Sequence, residues 1–431
     1  MQPISLRNGA YIMTFNDLKL IRNIQQALAE EGYEAPTPIQ QQAIPIIMEG
    51  TDLVGCAQTG TGKTAAFAIP IIHQIHPIVG SAKKRKSIRA LVITPTRELA
   101  IQIQESFETY GRYTNIVSTV IYGGVNQVPQ VDQLKRGVDV LIATPGRLLD
   151  LHKQGHVNLD HLHHLVLDEA DLMLDMGFIN DVKKIIKLTP DNRQTLLFSA
   201  TMPLPIRELA ESFLTKPQYV TVTPVASTAE KIKQWVYKVE KEEKRKLLLQ
   251  ILNEYPGEQI LIFTRTKHGA DNVVKFLKKN NFTAEAIHGD KSQSARQRAL
   301  DHFKNKEVQL LAATDIAARG IDIESLPFVI NFDIPNISDT YVHRIGRTGR
   351  AGNEGLAISL CGKDEWTYWQ DIEKLIRMKI KVIENHDFGW KDTANQAPAV
   401  KVDGTPQKKD FRNKKKGNGG KKFFGNKNKK K

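Results

Sequence analysis

Residues 52–64 read Asp-Leu-Val-Gly-Cys-Ala-Gln-Thr-Gly-Thr-Gly-Lys-Thr. The short apolar run 52–56 reads as a buried strand. It leads directly into Ala57-Gln58-Thr59-Gly60-Thr61-Gly62-Lys63-Thr64, and then into an apolar stretch of helical length. A glycine-rich loop between a strand and a helix lets backbone N–H groups close around phosphate oxygens. Lys63 can then reach the β- and γ-phosphates of a nucleotide, and the Thr64 hydroxyl can ligate Mg²⁺. The first position is Ala57, where the generic pattern has Gly. An ordinary glycine turn is the alternative, but it gives no reason for Lys-Thr in register at the loop's end. The stretch predicts a strand–loop–helix nucleotide site on a parallel α/β sheet.

The flanking sequence supports that fold. Ahead of the loop, Leu18, Ile21, Ile24 and Leu28 recur at helical spacing, and Gly32 ends that helix; Pro36 and Pro38 read as a loop. After it, short runs rich in Val, Ile and Leu alternate with helical stretches. These runs fall at 90–93, 118–122, 138–142, 165–167, 195–198 and 219–222, and they predict strands buried on both faces. The segment 223–230 breaks the pattern and reads as a linker. A second series follows at 235–239, 259–263, 283–287, 309–312, 328–332 and 356–360, with helical stretches at 242–252 and 294–303. The expected organisation is an N-terminal extension over 1–12 without clear period, an α/β domain over 13–222, the linker 223–230, a second α/β domain over 231–388, and a tail over 389–431. Met13 is an alternative start.

Composition narrows the classes. The chain has 431 residues, 41% apolar and 25% charged, which excludes a collagen-like repeat and a wholly disordered chain. Cys56 and Cys361 are too few and too distant for a disulfide or metal framework, and they fit a reducing compartment. No apolar run reaches the roughly 18–20 residues of a membrane helix. No basic segment followed by an apolar core opens the chain, so a cytoplasmic protein without a membrane role is expected. The net charge of +14 comes from 61 basic and 47 acidic residues. Residues 401–431 hold 13 Lys or Arg and 2 Asp, leaving the first 400 residues with a net of only +3. That tail has too few apolar residues to offset the entropy of ordering. A flexible polycation either contacts phosphate backbones without reading sequence or keeps the chain soluble; nucleic-acid contact is the expectation.

Two further motifs carry chemistry. The run 165–167 ends in Asp168-Glu169-Ala170-Asp171. Asp168 can hold Mg²⁺ through water, and Glu169 can orient or deprotonate an attacking water. Taken alone, such a cluster reads as a helix N-terminus, where acids are favoured; after a phosphate loop, catalysis is the stronger reading. His343-Arg344-Ile345-Gly346-Arg347-Thr348-Gly349-Arg350 puts three arginines within seven residues. These can bind nucleic acid, pair with acids, or neutralise charge on a transferring phosphoryl group. If they act from the second domain, hydrolysis requires the domains to close, which makes a nucleotide-dependent switch.

Taken together these segments resemble a DEAD-box RNA helicase of superfamily 2, over about residues 13–385. Phe15 stands 17 residues before Gly32, which opens Gly-Tyr-Glu-Ala-Pro-Thr-Pro-Ile-Gln, ending at Gln40. This resembles the family's Q motif, and it implies that Gln40 and Tyr33, with Thr37 and Phe15 in support, take the adenine of ATP. An amide offers a donor and an acceptor together, matching adenine rather than guanine. Ala57 is the family's usual residue. Pro95-Thr96-Arg97-Glu98-Leu99-Ala100, Gly123-Gly124 and Thr144-Pro145-Gly146-Arg147 resemble RNA-binding loops of the first domain. In the second, Phe263-Thr264-Arg265, His288-Gly289-Asp290, Gln293 with Arg296, and Thr314-Asp315 resemble RNA-contacting or interdomain positions. Ala318-Arg319-Gly320-Ile321-Asp322 resembles the segment that meets the ribose, implying Gly320 and Asp322 there. Ser199-Ala200-Thr201 resembles the motif that couples hydrolysis to strand separation, with Asp171 implied in the same role. Arg347 and Arg350 fall on the arginine fingers, and His343 and Arg344 on a network with the acidic motif.

The resemblance implies two tandem RecA-like domains binding ATP, Mg²⁺ and RNA, working as a monomer, with local opening of short duplexes. Such contacts go mostly to the sugar–phosphate backbone. A nucleotide-gated RNA clamp that unwinds little is the rival, and a DNA-directed helicase a third reading. Residues 36–45 and the basic tail resemble the bacterial RhlE branch, which implies work on ribosomal precursors, RNA turnover or cold growth. His161, His163 and His164 have no ligand-like spacing and read as surface or packing residues. Trp366, Tyr368 and Trp369 can stack bases, but their amphipathic setting favours packing against the second domain. Cys56 reads as a small inert apolar residue. Deleting 401–431 should weaken RNA binding and flatten its salt dependence, the log–log slope changing by about 0.7 per lost phosphate contact on a single strand. An unchanged slope would leave the tail as a solubility device.

Overall fold

In a computed structural model the described residues are 6–7, 10–11, 13–58, 60–80, 87–222, 232–318, 326–349, 355–384 and 386–390. The N-terminal pair β1 (Leu6–Arg7) and β2 (Ala10–Tyr11) is antiparallel. Two seven-stranded parallel sheets follow, each with helices on both faces, and they form two lobes. Lobe one contains β3 (Leu53–Cys56), β4 (Ala90–Ile93), β5 (Ser118–Ile121), β6 (Val140–Ala143), β7 (His164–Leu167), β8 (Gln194–Ser199) and β9 (Gln218–Thr221). Their order is β5-β6-β4-β7-β8-β3-β9. Lobe two contains β10 (Ile232–Lys238), β11 (Ile260–Thr264), β12 (Ala284–Ile287), β13 (Leu310–Thr314), β14 (Phe328–Asn331), β15 (Gly355–Cys361) and β16 (Lys381–Ile383), in the order β12-β13-β11-β14-β15-β10-β16.

The apolar runs build cores on both faces of each sheet because side chains alternate along a strand. In lobe one, Ala90, Val92, Val140 and Ile142 face Ile39, Ile44, Phe67, Ile103 and Phe107 on one side. Leu91, Ile93, Leu141 and Ala143 face Leu148, Leu151, Met173, Val182 and Leu209 on the other. In lobe two, Ile260 and Ile262 point to one cluster and Leu261 and Phe263 to another. Burial on both faces holds for the inner strands β4, β6, β7 and β8. It fails at the edges: β5 alternates, and β9 exposes three of its four residues, since an edge strand has one neighbour and less cover.

The structure departs from the sequence reading at several elements. Pro38 opens the helix Pro38–Met48 instead of lying in a loop, and the Gln40 carboxamide oxygen accepts from Thr37 N at 2.9 Å. Proline suits a first helical position because its missing N–H would have no partner there. Strands β1, β2 and β16 were not foreseen; at two or three residues they are too short to show a period. Strand β10 begins at Ile232 because all seven of its residues pair with β15. The linker 223–230 and the tail beyond Trp390 lie outside the described residues.

The residues set aside are mostly structural. Trp369 is fully buried, edge-on to Tyr341 at 5.5 Å, and Tyr341 Oη donates to Gln234 Oε1 at 2.7 Å. Trp366 meets Trp390 at 5.9 Å, and Lys238 Nζ sits over both rings. Tyr368 stays exposed. Cys56 Sγ lies 3.5 Å from Ala200 O, and burial raises its thiol pKa. The three histidines diverge: His161 and His163 are exposed, whereas His164 is buried with Nδ1 3.1 Å from Gln194 Oε1. Gln194 in turn donates to Ile47 O and Thr51 O, tying the base of β8 to the helix Pro38–Met48.

His164 generates a stability prediction. Burial depresses its pKa to about 4, against about 6.5 in an unfolded chain. Below about pH 6.5 the unfolded chain takes up a proton that the fold refuses, so this residue's contribution falls as pH drops toward 4. The loss should approach about 3 kcal/mol. Urea midpoints measured from pH 4 to 7 should flatten in a His164→Asn variant, and an unchanged profile would contradict the assignment.

Candidate functional site

Parallel pairing assembles the site. Cys56 pairs with Ser199 and Ile93 with Leu167, so the phosphate loop, Ser199-Ala200-Thr201, Pro95-Thr96 and Asp168-Glu169 all emerge at the C-terminal edge of one sheet. Open parallel sheets bind ligands at that edge. Ala57 N donates to Ser199 O at 3.0 Å, and Thr61 Oγ1 donates to Gln58 O at 2.7 Å. Gly60 and Gly62 have φ of +78° and +92°, and a Cβ on Gly62 would run into the Gln40 side-chain amide. The loop therefore needs glycine at Gly62 twice over. The helix Lys63–Gly80 starts immediately after it.

The chemistry centres on a buried pair. Lys63 Nζ donates to Glu169 Oε1 at 2.9 Å, with both residues buried. Burial would lower the Lys63 pKa, but Glu169, Asp168 and Asp171 reverse this and raise it. Burial would raise the Glu169 carboxyl; the Lys63 ammonium, aided by His343 and Arg347 of lobe two, holds it well below the usual range. Asp168 is pushed up, first by burial and then by the charge of Glu169. Its Oδ1 accepts from Glu169 N at 3.0 Å. Glu169 sits at φ +53°, ψ +53°, a left-handed conformation rare for a side-chain-bearing residue and common at functional sites.

These groups line a cavity of about 490 Å³ together with Tyr33, Thr37, Gln40, Gly60, Gly62 and Thr64. Phe15, Tyr33 and Tyr110 form an aromatic ladder with centroids 6.1 Å apart at each step, and the Tyr33 and Tyr110 hydroxyls are 3.3 Å apart. Gln40 Nε2 donates to Gly62 O at 3.2 Å. Each end of its amide keeps one further donor or acceptor position. The buried Thr37 Oγ1 has no hydrogen-bond partner among the described residues. A glycine cradle, an orphaned hydroxyl and a half-spent amide suit a nucleotide. An acid pair whose mutual repulsion raises Asp168 suits a divalent cation. Gln102, Glu105, Ser106 and Thr109 of the helix Arg97–Tyr110 also line the cavity. The sequence reading missed them, although their spacing of three and four marks a polar helical stripe.

Asp171 links the cavity to the neighbouring loop. Its Oδ2 accepts from Thr201 N and Oγ1, both at 2.9 Å, and its own N–H donates to Ser199 Oγ at 3.1 Å. His343 lines a small cavity with Gln58, Ala200 and Thr201, so lobe two stands beside that loop. Arg347 is buried. Arg344 differs from expectation: it is committed within lobe two. Its Nε and Nη2 donate to the Asp315 carboxylate at 2.5 and 2.8 Å, and Nη1 donates to Asn331 Oδ1 and Asp333 O. Thr59, Arg350, Gly320 and Asp322 lie outside the described residues.

A second groove, of about 500 Å³, brings together Pro95, Thr96, Arg97, Gly123, Thr144, Gly146, Arg147, Gly289 and Arg296. Arg147 donates to Gln130 Oε1 and Val125 O. Gly124 has φ +74°, and a Cβ there would collide with the Arg97 guanidinium. Across the lobes, Gln293 Oε1 accepts from Arg97 at 3.3 Å, Gln293 Nε2 donates to Glu98 Oε1 at 2.9 Å, and Arg296 Nη2 pairs with Glu98 Oε2 at 3.0 Å. Gln293 and Arg296 thus join the lobes, and the unassigned Glu98 is their common partner. His288 Nε2 lies 3.1 Å from Asp271 Oδ2, Thr314 is half-buried at the end of β13, and Arg265 is anchored to Glu365 at 2.7 Å.

Residues 37–209 match the DEAD/DEAH box helicase family, and residues 243–352 match the helicase conserved C-terminal domain. The chain is 43% identical over 368 residues to ATP-dependent RNA helicase CshA of Limosilactobacillus reuteri, covering 85% of this chain and 73% of that one. It is 40% identical over 383 residues to DEAD-box ATP-dependent RNA helicase RhpA of Helicobacter pylori strain B128, covering 89% and 76%. Among solved structures it is similar to S. cerevisiae Dbp5 bound to RNA and ADP BeF3, with TM-score 0.77, 28% identity and coverage of 86% and 95%. It is also similar to Mss116p bound to ssRNA and AMP-PNP, with TM-score 0.79, 28% identity and coverage of 88% and 81%. Matches that span both lobes, to relatives at 40% identity and above, establish that this chain belongs to the DEAD-box family of ATP-dependent RNA helicases.

Proposed function

We propose that the cavity at Lys63 and Glu169 hydrolyses ATP and that the second groove holds RNA by its backbone, so that closure of the two lobes around both ligands locally opens short duplexes. The buried Lys63–Glu169 pair, facing His343 and Arg347 of the other lobe, carries this reading. Bound triphosphate offers Lys63 a more highly charged partner than one carboxylate. Glu169 is then released to orient the attacking water and accept its proton. Arg347, with Arg350, neutralises charge on the transferring group from lobe two. Thr64 and Asp168, through water, would hold Mg²⁺, which would neutralise phosphate charge when bound. Tyr33, Thr37 and Gln40 take the adenine, with Phe15 packed behind Tyr33. Ala57, Gln58, Thr59, Gly60, Thr61 and Gly62 wrap the phosphates, and Gly320 and Asp322 approach the ribose.

On the RNA side we assign Pro95, Thr96, Arg97, Gly123, Gly124, Thr144, Gly146, Arg147, Arg265, His288, Gly289 and Thr314 to sugar and phosphate. Gln293 and Arg296 shape the same groove from lobe two through Glu98. Ser199, Thr201 and Asp171 carry the state of the cleft to the lobe interface, where His343 sits and Arg344 braces the opposite wall. One chain supplies both halves of the cleft, which supports a working monomer. The unpaired cysteines support a reducing, cytoplasmic setting. Ribosomal precursors and RNA undergoing turnover are the proposed targets, on the resemblance of residues 36–45 and the tail to the RhlE branch.

Steady-state ATPase with and without single-stranded RNA, at fixed Mg²⁺, is the primary test. Strong stimulation followed by duplex separation is expected; a rate indifferent to RNA would overturn coupled closure. Glu169→Gln should lower turnover roughly 10²- to 10⁴-fold, while ATP-dependent retention of RNA on filters persists. Undiminished turnover would remove Glu169 from the reaction. Gln40→Ala should raise the KM for ATP and narrow the ATP-over-GTP preference by about tenfold, the worth of one well-made hydrogen bond. An unchanged ratio would place base selection elsewhere.

A further inference from the structure

A buried ionic cluster crosses the C-terminal ends of four lobe-two strands, away from the ATP cavity. Its centre is Glu365, which is 4% exposed. Each carboxylate oxygen accepts two bonds. Oε1 takes Arg265 Nη2 at 2.7 Å and Ile334 N at 3.2 Å; Oε2 takes Lys244 Nζ at 2.6 Å and Gly362 N at 3.0 Å. Lys244 is 3% exposed, and its other two donors go to Phe332 O at 2.7 Å and Asp333 Oδ1 at 3.5 Å. Asp333 Oδ2 accepts the backbone N–H of Arg265 at 2.9 Å.

Arg265 is the member that reaches solvent. A guanidinium has five N–H donors. Both on Nη2 are used, one on Glu365 and one on Ile334 O at 2.9 Å. The three on Nε and Nη1 have no acceptor among the described residues. The guanidinium carbon lies 5.9 Å from the centroid of the exposed Tyr368 ring, within cation–π range. It also stands beside the groove. Thr264 pairs with Thr314, and Ile287 with Ala313, so Arg265 lies two strands from His288-Gly289 on the same edge. Two strand spacings are about 10 Å, and Gly289 forms part of the groove wall.

Burying Lys244 with Glu365 does not explain itself as a stabiliser, because apolar residues of like volume commonly serve a core as well or better. An arginine tethered by two bonds from one nitrogen and set over a ring has already surrendered part of its side-chain freedom, so a phosphate captures it at lower entropic cost. We propose that Glu365, neutralised by Lys244, is a positioning residue that holds Arg265 on Tyr368 with three N–H donors presented to an RNA phosphate beyond the main groove. This rests on the RNA-helicase reading, which already gives Arg265 to RNA, and it adds Lys244, Glu365 and Tyr368, which lie outside the quoted motifs.

The test uses the full chain and a single-stranded oligonucleotide. Its readouts are the RNA concentration giving half-maximal ATPase stimulation, the salt slope of that constant, and the melting temperature. Arg265→Ala should raise the constant roughly 5- to 10-fold and lower the slope by about 0.7, one phosphate contact. Lys244→Met with Glu365→Gln, which removes both buried charges together, should do the same. Adding Arg265→Ala to that pair should change nothing further, because both act through one guanidinium. Glu365→Asp keeps the charge but withdraws the carboxylate, and it should raise the constant part of the way with little change in melting temperature. Effects that multiply in the triple variant would overturn the proposal, as would a pair variant or Glu365→Asp that leaves constant and slope unaltered. Should the pair variant fail to fold, Glu365→Asp decides alone. A parent chain that RNA does not stimulate would overturn the helicase reading and this proposal with it. A stimulated parent indifferent to Arg265→Ala would overturn this proposal alone.

Discussion

The cleft depends on one buried ion pair. Lys63 and Glu169 are drawn out of water at the top of β3 and just beyond β7, strands separated in the sheet by β8. Breaking such a pair from one side leaves an uncompensated buried charge, which is far costlier than losing the pair outright. Each residue therefore holds the other until a stronger partner arrives. In the proposed reaction the triphosphate draws Lys63 away, and Glu169 then loses the largest of the charges that suppress its basicity. Glu169 makes this pairing from a left-handed backbone conformation. In the proposed reaction, restraint of the base and recognition of phosphate thus share one contact.

The lobes touch through polar groups in the same economical way. Glu98 is buried, faces the opposite lobe, and answers both Gln293 and Arg296. Arg97, its neighbour in sequence, leans on Gly124 and reaches Gln293. Consecutive residues on the first turn of one helix therefore serve the groove and the interface together. RNA bound in the groove as proposed would touch the residues that set the interlobe contact, which gives a physical route from RNA occupancy to cleft geometry. On the other side of the sheet edge, Asp171, Ser199 and Thr201 form a closed hydrogen-bonded set beside His343. The two sets meet lobe two at different helices, Gln293–Lys304 and Ser338–Ile345.

Much of this was legible in the chain because the apolar runs are short and strongly β-branched, and because a glycine-lysine-threonine loop between strand and helix admits few interpretations. What stayed hidden has definite causes. Strand β16 and the N-terminal pair are too short to show periodicity, and Pro38 reads as a loop residue unless Thr37 is recognised as its cap. The stripe Gln102, Glu105, Ser106 and Thr109 was visible as a pattern but needed the neighbouring cavity to gain meaning. Glu98 stood inside a quoted motif without a role, because its partners lie about 195 residues away. Spacing along a chain reports one face of one element, and it is silent about contacts made by folding.

The arginines show where motif reading gives way to donor accounting. Arg344 and Arg265 were both expected at functional contacts, and they look equivalent in sequence. Arg344 spends donors on Asp315, Asn331 and Asp333 and lies over the Phe263 ring, and it is 1% exposed. It can act on a ligand only by holding Asp315 and the end of β13 in place. Arg265 spends two donors and keeps three toward solvent. The difference follows from what each guanidinium meets at the strand ends: a carboxylate facing Arg344 with both oxygens, against a buried carboxylate shared between Arg265 and a lysine. Asp333 belongs to both sets, accepting Arg344 at its carbonyl and the Arg265 backbone at its carboxylate. Both arginines are therefore braced on one residue, the first through its carbonyl and the second through its carboxylate.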